Sequence, residues 1–148
     1  MVTYSCNIVR AGLATFALLA SGFTLAAAPE MIVTPFESLT FSAPKPGEPQ
    51  IAPVRGNPEQ EASSIVMKMG RGAFPMHTHT ANYQLVVIKG VMRHWDANGS
   101  QQTAANMGPG SYWYQPAGQP HGDSCESDEC VWFISLDGAR DFAEAKGH

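Results

Sequence analysis

The sequence predicts an all-β, antiparallel sandwich or barrel, and three observations support that expectation. Short runs rich in β-branched and aromatic residues recur through the second half of the chain: "SSIVMKM", "YQLVVIK", "VMRHW", "SYWYQ" and "VWFISL". Gly, Pro, Asn or Asp punctuates the intervals between them, as turns between short strands require. A length of 148 residues, 44% hydrophobic and 15% charged, fits one globular domain rather than a disordered chain.

Residues 1–28 stand apart from that domain. Arg10 is the single early positive charge, an apolar run follows from Ala11 through Leu25, and small residues close it at Ala26, Ala27 and Ala28. This is the layout of a cleaved signal peptide, which predicts a periplasmic or secreted protein. A retained membrane anchor is the weaker alternative, because Gly12, Thr15, Ser21, Gly22 and Thr24 interrupt the run. No stable anchor is then expected after cleavage.

Residues 29–62 read as an N-terminal extension. "MIVTPFESLTF" is expected to form an edge strand broken by Pro35, and "SAPKPGEPQIAPVRGNPEQEA" a loop with at most one short extended piece. Residues 63–137 carry the barrel core. Within it, Lys89-Gly90 and Asn98-Gly99 read as tight hairpin turns. The tail, residues 138–148, contains "GARDFAEAKGH", the one stretch suited to a short helix.

Export changes the charge and cysteine arithmetic. Loss of Arg10 leaves eight basic residues against thirteen acidic ones, and no basic patch remains to hold phosphates, so nucleic acid is excluded as a partner. Loss of Cys6 leaves Cys125 and Cys130 in "CESDEC", an even number in an oxidising compartment, which predicts a disulfide. Free surface thiols are the alternative. A zinc finger is a poorer reading, since no second Cys or His pair stands at the required spacing.

The chemistry-bearing residues begin at "MHTHTANYQ", Met76 to Gln84. Side chains two apart in an extended segment share a face, so His77 and His79 point the same way. Gln84 opens the next strand, and a third histidine, His121, stands in "PGSYWYQPAGQPHGDSC". Imidazoles gathered in this way suit a divalent first-row metal.

These residues resemble the two motifs of the cupins. The first motif is Gly, a gap, His-x-His, three or four residues, Glu, six residues, Gly, and is matched here by Gly72, His77, His79, Gln84 and Gly90. The second is Gly, five residues, Pro-x-Gly, two residues, His, three residues, Asn, and is matched by Gly110, Pro116, Gly118 and His121, with Cys125 in place of Asn. Three departures lie in the first motif: the gaps after Gly72 and after Gln84 are each one residue short, and Gln replaces Glu. The resemblance covers about Phe36 to Leu136. It implies a cupin-type double-stranded β-helix, or jelly-roll barrel. It also implies one divalent transition metal (Fe, Mn, Zn or Ni) held by His77, His79 and His121 with Gln84 as fourth ligand.

A ligand set without carboxylate leaves the metal its full positive charge, which favours an anionic ligand. The resulting expectation is a metal-dependent enzyme acting on a small, oxygenated, anionic organic molecule, either as a dioxygenase or as a Lewis-acid isomerase or lyase. A non-catalytic binding or sensing module is the alternative. His94 and Tyr114 are the candidate catalytic acid or base residues near the metal. No obvious nucleophile triad is present, since Ser111 has no Gly-x-Ser-x-Gly elbow around it. The weakly patterned segment from Met31 to Val54 has few ways to bury itself on one barrel, and a homodimer is expected.

Overall fold

Nine short strands form among residues 30–145, the residues described by the computed structural model. They are β1 (Gln50–Arg55), β2 (Ser63–Met69), β3 (Gly72–Thr78), β4 (Tyr83–Lys89), β5 (Met92–Asp96), β6 (Tyr112–Gln115), β7 (His121–Cys125), β8 (Cys130–Leu136) and β9 (Ala143–Glu144). One sheet has the order β1-β2-β8-β4-β6 and the other β5-β7-β3-β9, and every pairing is antiparallel. From β2 onward, consecutive strands alternate between the two sheets. This is the expected jelly-roll double-stranded β-helix, and it seals an apolar interior that includes Ile65, Met67, Leu85, Val87, Trp132 and Ile134. Glu30 and Met31, the described residues of a separate N-terminal unit, are exposed. The expected signal peptide, residues 1–28, lies outside the described residues.

The alternation of sheets corrects the expected hairpins. Lys89-Gly90 links β4 in one sheet to β5 in the other, and Gly90 takes φ +82°, which its lack of a side chain permits. Asn98-Gly99 does turn, with the Gly99 N–H donating to Asp96 O, but the strand beside β5 is β7. Both are turns; neither closes a hairpin. The edge strand also moves. Residues 31–41 form a single 3-10 turn, Phe36–Ser38, while β1 arises from the Pro-punctuated stretch that follows. Pro53 is tolerated there because β1 borders the sheet on one side, and the register shifts between Pro53 and Arg55. The expected C-terminal helix is absent among the described residues, since Ala143 and Glu144 pair with Thr78 and His77 instead.

Two local devices position the site. Phe74 pairs with Asp123 and His77 with His121, so β3 spends three steps where β7 spends two. This bulge, at Pro75 and Met76, re-aims His77 onto the face that also carries His121 and Asp123. The second device is the disulfide. Cys125 ends β7 and Cys130 begins β8, their sulphurs lie at 2.07 Å, and both residues are buried. It joins the two sheets and not merely the ends of one loop.

Candidate metal centre

His77 lies near the end of β3, His79 just beyond it, and His121 opens β7 directly opposite His77. One ring nitrogen from each lies within 4.8 Å of the others. Backbone carbonyls fix all three rings from behind: Nδ1 of His77 meets Pro75 O at 2.7 Å, Nδ1 of His121 meets Gln119 O at 3.0 Å, and Nδ1 of His79 meets Asp141 O. A carbonyl only accepts, so each Nδ1 carries the proton and each Nε2 presents a lone pair. This is the tautomer a metal-binding imidazole needs, held by the outer hydrogen bond that such ligands use. The residues present therefore fit a divalent metal.

Burial sets the protonation of these rings. His121 is 1% exposed, and its pKa is pushed down to about 4 because burial penalises the imidazolium, against opposing pulls from Asp123 and the Gln119 carbonyl. Burial lowers His79 in the same direction. Both stand neutral and ready to ligate at neutral pH.

Two residues outside the expected set of ligands and acid-base groups complete the centre. Asp123 is buried on β7, with Oδ2 3.8 Å from Nε2 of both His77 and His121, and Oδ1 accepts from Nδ1 of His94 at 2.7 Å. Tyr83 opens β4 with its hydroxyl 3.1 Å from His121 Nε2, where it donates, and it accepts a longer bond from Trp113 Nε1. Burial, reinforced by the Asp123 charge, raises the Tyr83 pKa well above its ordinary value and keeps the phenol protonated.

Gln84 is not a ligand in this arrangement. The burial of β4 alternates, with Tyr83, Leu85 and Val87 turned inward and Gln84, Val86 and Ile88 outward. Gln84 is exposed and accepts a hydrogen bond from the Tyr112 hydroxyl on the outer face. Tyr114 pairs with Gln84 across the sheet, is 53% exposed, and cannot serve as the internal acid or base. His94 does point inward, stacked on Trp113 at 4.9 Å with its ring 5.3 Å from that of His121, and its hydrogen bond goes to Asp123. Signals for the missed residues existed. Counting three residues after His79, which the first motif permits, lands on Tyr83. The two-residue step from His121 to Asp123 places both on one face. With Gln84 outside and a carboxylate inside, the argument from a neutral ligand set to an anionic substrate lapses.

A cavity of about 430 Å³ opens over these groups, lined by Ile51, Met67, Phe74, Leu85, Trp132 and Ile134 together with His77, His79, Tyr83 and Asp123. The C-terminal strap covers one side, with Phe142 stacked on His77 at 4.5 Å and Asp141 on His79.

The family model described as ChrR Cupin-like domain matches residues 29–139. An Arabidopsis thaliana protein described as DNA damage-repair/toleration protein DRT102 is 36% identical over 80 residues, which are 54% of this chain and 25% of that protein. The chain thus spans about a quarter of that relative's length. Among solved structures, KdgF from Halomonas sp. superposes with a TM-score of 0.61 at 16% identity, covering 77% of this chain and 97% of that one. The polyketide cyclase RemF from Streptomyces resistomycificus gives 0.62 at 17%, covering 80% and 88%. A conserved Klebsiella pneumoniae protein with a double-stranded β-helix domain gives 0.60 at 19%, covering 80% and 100%. These likenesses establish the architecture.

Proposed function

Because the chain belongs to the ChrR cupin-like family, we propose that it is an exported metal-dependent enzyme in which three histidines hold one divalent transition metal. Its chemistry is non-oxidative, a lyase or isomerase reaction on a small oxygenated organic molecule. The fold does not choose among reactions, so the site must. One observation carries the reading: a protonated phenol and a buried carboxylate, Tyr83 and Asp123, flank the three imidazoles inside a cavity of small-molecule size.

When bound, the metal supplies a Lewis acid for a substrate oxygen. Were the His121 Nε2 lone pair given to a metal, the Tyr83 hydroxyl would be released from it and would hold its proton at the cavity wall, where it can be delivered to or recovered from a substrate. Asp123 provides the negative charge that balances the site, and its hydrogen bond to His94 fixes its orientation. His94, stacked on Trp113, acts as a positioning residue. The largely apolar lining lowers the polarity around these groups, which strengthens their interactions.

The test is metal analysis of the purified protein, followed by a turnover screen with small carbonyl and hydroxy compounds under air and under argon. One metal per chain and equal turnover in both atmospheres is the expected outcome. Oxygen-dependent turnover would replace this reading by a dioxygenase. Failure to take up any divalent metal, even on refolding with it, would sink the centre itself.

A further inference from the structure

The geometry points to Arg140 as the anion anchor of the cavity, selecting a ligand with an apolar body and one carboxylate. Among the described residues that line the cavity, Arg140 is the one permanent cation. Its Nε is buried and has no hydrogen-bond acceptor among the described residues. That enclosed donor stays unpaired at a cost, while the side chain as a whole is 29% exposed, so the Nη groups are the part of the cation left for a ligand. The nearest acidic partner, Glu59, stands 3.9 Å from Nη2 and is itself mostly exposed, which makes it a weak competitor. Nη1 and Nη2 together form a fork that matches the two oxygens of a carboxylate.

Position supports the assignment. The Arg140 N–H donates to Pro58 O at 2.6 Å, and the two residues that follow dock on His79 and His77. Arg140 therefore belongs to the strap that covers His77 and His79. The acidic lining does not cancel it: Asp123 is engaged by His94, while Glu48 is exposed, with Lys45 at 3.4 Å, and Glu144 is exposed. The rest of the wall is largely aliphatic and aromatic, which suits an apolar body.

This inference rests on the cavity being the substrate site, and its test is kept separate from the metal. The full chain, freed of metal with a chelator that is then removed, is titrated calorimetrically with 3-phenylpropanoate and with 3-phenylpropanamide at pH 7. Wild type should bind the carboxylate at least tenfold more tightly than the amide. Arg140→Gln should erase that preference, and Arg140→Lys should retain part of it. Equal binding of acid and amide by wild type, no binding of the acid, or an undiminished preference in Arg140→Gln would each overturn the assignment. Zinc uptake, measured separately on wild type and Arg140→Gln, decides the metal centre and leaves this comparison unchanged.

Discussion

Replacing Asp123 with Asn keeps the side-chain volume and an acceptor for His94, but removes a negative charge beside the three imidazoles. The carboxylate oxygen lies 3.8 Å from Nε2 of both His77 and His121. The charge the carboxylate would face is that of a metal held at those nitrogens. A unit opposite charge about 4 Å away is worth about 4 kcal/mol at an effective dielectric of 20, part of which is offset by the cost of burying the carboxylate. The net effect expected is a roughly 10- to 100-fold loss of metal affinity, or about 1.4–2.7 kcal/mol. The assay is competitive titration of cobalt(II) or zinc against a chromophoric chelator. Gln84→Ala serves as the internal control, because Gln84 lies on the outer face. It should bind metal within about twofold of wild type, which is under 0.5 kcal/mol. An Asp123→Asn protein that binds as tightly as wild type would refute the role given to this carboxylate, and a loss in Gln84→Ala would return Gln84 to the ligand set.

Tyr83→Phe should take up metal normally yet lose about 10²- to 10⁴-fold in kcat, and retention of full turnover would remove the phenol from the chemistry. Replacing Cys125 and Cys130 together by Ala should lower the unfolding free energy by at least about 2 kcal/mol in urea titrations, while the unreduced wild type should show almost no free thiol. The metal-free protein should lose stability as pH falls from 6.5 towards 4. His121 has a folded pKa of about 4 against an unfolded value near 6.5, so in that window the unfolded chain binds more protons. The stretch from pH 6.5 to 5 lies above the ordinary carboxylate range, and a urea midpoint that stays flat there would contradict the buried, neutral histidine.

The legible parts of the fold were those where local sequence decides. "SSIVMKM" and "YQLVVIK" coincide with β2 and β4 because β-branched runs between turn residues favour extended backbone. β7 is different: His121–Cys125 reads "HGDSC", with no β-branched or aromatic residue, and it becomes a strand because β3 and β5 pair with it on both sides. The same limit hid Asp123. The three histidines were visible because their residue type is rare and their spacing is informative. The fourth position was misread for a definable reason: in β4 both faces carry apolar residues, so alternation does not say whether Tyr83 or Gln84 turns inward. Cross-strand pairing settles it, with Leu85 opposite Ile134 and Val87 opposite Trp132 in the core. Export and self-association, by contrast, remain expectations drawn from composition.

The alternation of strands between sheets also bears on how the chain reaches this state. Apart from β1 with β2, neighbours in sequence do not become neighbours in a sheet, so few local pairings are available to start folding. Each long closure must be made before its contacts reward it, which favours slow, cooperative folding. His77 and His121 meet only when β3 and β7 have paired, so the ligand atoms converge late and together. A metal that binds them selects the closed barrel over the open chain, and its concentration becomes a term in the protein's stability.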